Sequence, residues 1–297
     1  MVTFPFTDSG PHVYRFGSAL FDLNARTYIV GILNVTPDSF SDGGKFLDPG
    51  MAVDHALAMV RNGADIIDIG GESTRPKGEA YGAGAEEISA EEEIRRVVPV
   101  IERLAASTSA PLSVDTYKAA VADRALSAGA SLVNDISGFR FDPLMASVVA
   151  EHGASAVLMH IKGTPKTMQL DPSYTDLFSE IVEYLRGSIA IAREHGVSQI
   201  IVDPGIGFGK SKNDNLRLIS GLGRFGSLGY PVMVGPSRKS FIGKILDLPV
   251  EERLEGTISS VVTAILAGAQ FVRVHDVREV KRAAVVADAL KRADQVP

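Results

Sequence analysis

Asn34, Asp68, Asp115, Asn134 with Asp135, His160, Asp203, Gly235 and His275 each stand at the end of a short run rich in Val, Ile, Leu and Ala. If those ends open on one face, carboxylates and amides there can accept paired N–H groups and stabilise positive charge in a transition state. The first run continues as Asn34-Val35-Thr36-Pro37-Asp38-Ser39-Phe40-Ser41-Asp42-Gly43-Gly44. Its amide and hydroxyls can donate to phosphate oxygens, and its carboxylates could hold a hydrated magnesium against a diphosphate; a turn-and-cap role fits the same composition. Gly70-Gly71-Glu72-Ser73-Thr74-Arg75-Pro76 offers a hydroxyl and a guanidinium that matches phosphate in two-pronged fashion, although a loop arginine is often only solvated. Each strand-end group has a plainer reading. Asp115 and Asp203 could cap helices, Asp68 and Asp135 could orient neighbours, and His160 could be a hydrogen-bonded structural residue.

The elements that must bring these groups together are legible from pattern. Strands are expected at 28–34, 65–70, 111–115, 131–135, 155–160, 199–203, 231–235 and 271–275. Amphipathic helices are expected near 50–62, 91–107, 117–128, 143–151, 174–195, 213–223, 251–267 and 277–293. A glycine that can close a helix precedes many of the strands, as at Gly63, Gly129, Gly153 and Gly268, with looser copies at Gly196 and Gly229. Apolar strands alternating with helices imply a parallel sheet buried on both sides, and eight such units match an α/β barrel; an open doubly wound sheet is the alternative. A hairpin at 11–23, turning at Gly17-Ser18, is placed to close the barrel's bottom. One domain over 1–297 is expected, with the barrel at about 28–293 and long loops after the first two barrel strands, Val35 to Gly50 and Gly71 to about Ser89.

Bulk properties narrow the function. The net charge of -6 disfavours a nucleic-acid surface, and the absence of cysteine removes disulfides, thiolate nucleophiles and Cys-bound zinc. Residues 1–11 lack the pattern of a signal peptide, and no stretch suits a membrane span; a cytoplasmic protein acting on small molecules is the expectation.

In order and spacing the motifs resemble the dihydropteroate synthase family of the folate pathway. Beyond the two segments above, the likeness is carried by Ser113-Val114-Asp115-Thr116, Asn134-Asp135-Ile136, Leu158-Met159-His160 with 163–169, Asp203-Pro204-Gly205-Ile206-Gly207-Phe208-Gly209-Lys210, 237–243 and Arg273-Val274-His275-Asp276-Val277. It spans about residues 28 to 290. The resemblance implies a (β/α)8 TIM barrel, and a transferase that joins 6-hydroxymethyl-7,8-dihydropterin diphosphate to 4-aminobenzoate with loss of diphosphate. Asp115, Asp203 and Lys239 would be catalytic. The pterin would meet Asp115, Asn134, Ile136, Met159, Asp203, Phe208, Gly235 and Lys239, and the diphosphate would meet Asn34, Thr74, Arg75, Arg273 and His275. The aminobenzoate would meet Phe40, Thr74, Arg75, Pro76, Lys239 and Ser240. Mg2+ would be held at Asn34, and a homodimer would form through late helices such as 251–267. Ile161-Lys162 after His160 and the long segment from Pro76 to Ile88 depart from the family pattern. Two rivals share parts of the pattern: a methyltetrahydrofolate-binding barrel of a corrinoid methyltransferase, and a catalytically silent pterin-binding paralogue. The Thr-Pro-Asp-Ser-Phe loop and Ser237-Arg238-Lys239-Ser240 speak against the first.

Overall fold

Runs of β-branched and other apolar residues with helices on their outer side leave a strand only one place to go, the interior of a sheet. A computed structural model describes residues 12–36, 49–74 and 87–293. Strands β1 (Val13–Phe16) and β2 (Ala19–Asp22) form an antiparallel hairpin. They are followed by β3 (Tyr28–Asn34), β4 (Ile66–Gly70), β5 (Leu112–Asp115), β6 (Leu132–Asp135), β7 (Ser155–Met159), β8 (Ile200–Asp203), β9 (Met233–Val234) and β10 (Phe271–Val274). These eight pair in parallel in the order β8-β7-β6-β5-β4-β3-β10-β9. A parallel bridge from Val202 to Val232, with Val202 N–H donating to Pro231 O at 2.9 Å, joins the two ends and closes the barrel. That closure rules out the open sheet.

The helices are α1 (Pro49–Arg61), α2 (Ala90–Ser107), α3 (Ala119–Ser127), α4 (Met145–Glu151), α5 (Leu177–Glu194), α6 (Lys212–Ser220), α7 (Ser240–Leu246), α8 (Leu254–Leu266) and α9 (Val277–Ala293). Gly63, Gly129, Gly153, Gly196, Gly229 and Gly268 all have positive φ, so each expected joint is a left-handed helix stop. The structure differs from the sequence expectation at the short elements. Helix α7 was not anticipated, and the helix expected over 213–223 ends at Ser220 and gives way to a 3-10 segment, Leu222–Leu228. The helix expected from 251 begins at Leu254, after a 3-10 turn, Val250–Glu252. Helix α5 starts at Leu177 because the Asp176 side chain accepts from Phe178 and Ser179 N–H.

Side-chain alternation splits the apolar residues into two separate sets. Ile29, Leu33, Ile67, Ile69, Val114 and Val133 face the helices. Tyr28, Val30, Ile66, Leu132, Val157, Ile201, Met233 and Phe271 face inward and form a column with Tyr14, Phe16 and Phe21 of the hairpin. The hairpin thus floors the barrel. Phe16 packs edge-on against Phe21 with centroids 4.8 Å apart, and Tyr14 Oη donates to Ile200 O at 3.1 Å. Because the strand period is two, the inward positions nearest the C-terminal ends are Asn34, Asp68, Asp115, Asn134, Met159, Asp203, Gly235 and Arg273. Alternation alone therefore lays a polar layer on the apolar column, at the end where barrel enzymes do their chemistry.

Candidate active site

Arg273 on β10 organises the polar layer. Its Nε donates to Asp68 Oδ2 and its Nη2 to Asp115 Oδ2, both at 2.6 Å. Asn134 Nδ2 donates to the same Asp68 oxygen at 2.9 Å, so β4, β5, β6 and β10 share one polar network. Burial works against the guanidinium's charge, but Asp68 and Asp115 outweigh it and hold Arg273 protonated. Burial pushes the Asp115 carboxyl up to about 7; Arg273 opposes this, while Asp68, Glu93 and Asp135 add to it.

A second group gathers at β8. Asp203 is buried, which raises its pKa, and its Oδ1 accepts from Gly205 N–H at 2.7 Å. The chain then turns through Gly205, Gly207 and Gly209, all at positive φ. A Cβ on Gly205 would fall 2.0 Å from His160 O, so glycine is required there. This close approach, not a dinucleotide, is what the glycine-rich run serves. Lys239, just before α7, donates from Nζ to Ile206 O and lies 4.4 Å from the centre of the Phe208 ring. Burial lowers its pKa to about 8 against the pull of Asp203, and Asp115 also acts to raise it. Asp203, Asp115, Lys239 and Arg273 therefore feel one another electrostatically across the mouth of the barrel.

His275 follows β10. Ser237 Oγ accepts from the His275 backbone N–H at 3.2 Å and lies 2.9 Å from Nδ1. With the hydroxyl proton given to Nδ1, the ring proton resides on Nε2. Burial, with Arg273 and Arg238 nearby, lowers the ring's pKa to about 4, so it is a neutral donor at pH 7. Neighbouring Arg238 is turned away, paired through Nε and Nη2 with Asp276.

Other expected residues take positions without joining this network. Ile136 and Met159 are buried just past β6 and at the end of β7, and Gly235 leaves room for Arg273, whose Cβ would lie 3.5 Å from a Cβ there. Thr74 ends a described segment and Ser240 opens α7. Phe40, Arg75 and Pro76, with most of both long loops, lie outside the described residues. Asp135 points outward and closes a turn by accepting from Ser137 N–H, Ser137 Oγ and Phe139 N–H. His160 is the hydrogen-bonded structural histidine of the sequence reading.

Three residues carry more than their sequence context disclosed. Asp68 bridges Arg273 and Asn134, and Ser237 seats His275. Lys210, also buried, donates to His160 Nδ1 and Phe208 O, each at 2.8 Å, and fastens the turn that carries Phe208. Burial and Lys210 take His160 down to about 2, so it remains a neutral acceptor. Asp68, expected from its strand-end place as a residue that could orient neighbours, accepts from two of them.

The chain matches the family model described as "Pterin binding enzyme" over residues 30–275. It is 49% identical over 289 residues to dihydropteroate synthase of Synechocystis sp., covering 96% of this chain and 98% of that one. The chain belongs to the dihydropteroate synthase family. Among solved structures of that family, dihydropteroate synthase of Xanthomonas albilineans with 4-aminobenzoic acid superposes with TM-score 0.86 at 40% identity, covering 96% of this chain and 99% of the other. The same organism's dihydropteroate synthase in complex with 7,8-dihydropteroate gives TM-score 0.82 at 38% identity, with 96% and 100% covered. As in those solved structures, the fold here is a TIM barrel with parallel strands and intervening helices. No helix among the described residues of this family member is long and apolar enough to cross a membrane.

Proposed function

We propose that this chain joins 6-hydroxymethyl-7,8-dihydropterin diphosphate to 4-aminobenzoate, forming 7,8-dihydropteroate and diphosphate. The observation that carries this reading is the pairing of a buried acid network, Asp68, Asp115 and Asp203, with two cations, Arg273 and Lys239, at one end of a barrel built like those of the family. Asp203, Asp115 and Asn134 offer oxygens to the N–H groups of the pterin edge, and Lys239 and Phe208 border the ring. The C–O bond to diphosphate breaks with its electron pair leaving on the diphosphate, and carboxylates beside the ring stabilise the cation that grows on the pterin methylene. Arg273, His275 through Nε2–H, and Asn34 take the leaving group's charge, joined by Thr74 and Arg75. The arylamine of 4-aminobenzoate, neutral near pH 7, attacks the methylene and releases its proton to water. Phe40, Thr74, Arg75, Pro76, Lys239 and Ser240 border that second substrate.

Mg2+ fits this arrangement as an ion held mainly by diphosphate oxygens and water, with the Asn34 amide oxygen as the protein donor. A Cβ on Gly70 would lie 3.9 Å from Asn34 Oδ1 and 3.7 Å from Asp115 Oδ2, so the missing side chain keeps a gap between those oxygens. When bound, the ion neutralises diphosphate charge. Exposed apolar side chains late in the chain, Leu266 on α8 and Val285, Val286 and Leu290 on α9, support a homodimer, and the lack of cysteine suits a cytoplasmic enzyme. Purified protein incubated with the pterin diphosphate, Mg2+ and labelled 4-aminobenzoate should yield labelled dihydropteroate and one diphosphate per product. Pterin binding without product would instead favour a silent paralogue.

A further inference from the structure

Asp68 is almost wholly buried, at 1% exposure, and its two oxygens are used very unequally. Oδ2 accepts from Asn134 Nδ2 and Arg273 Nε, whereas Oδ1 is buried with no hydrogen-bond partner among the described residues. Asp68 also lines a small cavity between the apolar column and the polar layer, together with Ser113, Asn134, Leu132 and Ile201. A buried carboxylate with an idle oxygen works against stability, so the fold alone does not account for an acid at this place.

Its placement has a chemical consequence. A carboxylate can only accept, so Asn134 must turn its amide nitrogen toward β4 and its oxygen away from it. In the same way Arg273 is held by two of its three arms, to Asp68 and Asp115, which among the described residues leaves Nη1 for an incoming group.

We propose that Asp68 is a positioning residue that fixes the Asn134 amide as an acceptor and the Arg273 guanidinium in one orientation, so that the site selects a heterocycle edge bearing an N–H opposite Asn134. This rests on the pterin reading above. In an Asp68→Ala protein the Asn134 amide is free to flip. In Asp68→Asn the remaining amide oxygen can take the place of Oδ2 and accept from both Asn134 Nδ2 and Arg273 Nε, so residue 134 keeps its orientation.

Calorimetry with the pterin diphosphate on wild type, Asn134→Ala, Asp68→Ala and Asp68→Asn tests this, alongside KM for 4-aminobenzoate. Asp68→Ala should bind the pterin diphosphate about tenfold more weakly, Asp68→Asn should recover most of that loss, and the aminobenzoate KM should stay within about threefold. If Asn134→Ala binds as wild type does, the pterin reading of Asn134 fails. If Asn134→Ala is weak but Asp68→Ala binds normally, or if Asp68→Asn is no better than Asp68→Ala, the positioning role is overturned. Should the variants not fold, NMR of the unliganded wild type decides: the two Asn134 side-chain amide protons should be distinct and slow to exchange with water. Rapid exchange at that amide refutes the proposal.

Discussion

Replacing Asp115 with asparagine should make the protein more stable at alkaline pH while disabling it. In the folded chain this carboxyl keeps its proton up to about pH 7, whereas its ordinary value is 3.8. Between those limits the native state holds a proton that the unfolded state has released, so stability falls as pH rises through that window. The gap of roughly three units, at about 1.4 kcal/mol each, would come to about 4 kcal/mol for a fully enclosed group. The side chain is 22% exposed and shares its charge with Arg273, so solvent screening reduces this to about 2 kcal/mol. Asparagine keeps an oxygen for Arg273 Nη2 and has no proton to lose. Urea unfolding of both proteins at about pH 5 and about pH 8 crosses roughly two of those three units, so the variant should gain about 1 kcal/mol on wild type across the interval. A difference that stays flat, or that moves the other way, would falsify the placement of Asp115 as an acid held protonated by burial.

Lys239→Ala should reduce kcat by about 10²- to 10³-fold, the usual cost of losing a donor or cation aimed at developing charge; diphosphate release under saturating substrates checks this, and a loss under tenfold removes Lys239 from the chemistry. Phe16→Ala, in the floor, should cost about 3–5 kcal/mol in chemical denaturation and leave both KM values nearly unchanged. Lys210→Met should cost about 1–3 kcal/mol by stranding Phe208 O without a donor, and it should raise the pterin KM because Phe208 loses its support; an unaltered KM would separate that turn from the site. Chelating Mg2+ should slow turnover, and Asn34→Ala should raise the Mg2+ concentration needed for half-maximal rate; an identical Mg2+ titration curve would exclude Asn34 as a ligand.

Most of the barrel was legible because its strands are buried on both sides and so read as uninterrupted apolar runs, six of the eight introduced by a glycine that closes the preceding helical segment. The expected strand over 28–34 coincides with β3, and the others end within about two residues of the observed limits. Helix α7 escaped because seven residues, Ser240–Leu246, complete hardly two turns of periodic pattern and follow a motif that reads as chemistry. Counting by twos from Val30, Leu132 and Ile201 points Asn34, Asn134 and Asp203 inward, so convergence of the site was implicit in the chain. Partnership was not. Periodicity says which way Asp68 faces, but not that it meets Arg273 across 205 positions of sequence or that Lys210 meets His160 across 50. Those contacts depend on how far the cylinder brings opposite strands together, a distance that no local pattern encodes.

The void lined by Val30, Leu132, Val157 and Ile201 lies beneath Asp68 and Asn134. Hydrocarbon that never touches a substrate thus borders the reactive groups from below. One added methylene at Val157 would be taken up by that space, whereas a bulkier side chain at Val157 or Ile201 would press on Asp68 and Asn134 overhead. Substitutions with the largest leverage over turnover can therefore lie among greasy residues at mid-depth, where a survey confined to ligand-facing side chains would never look.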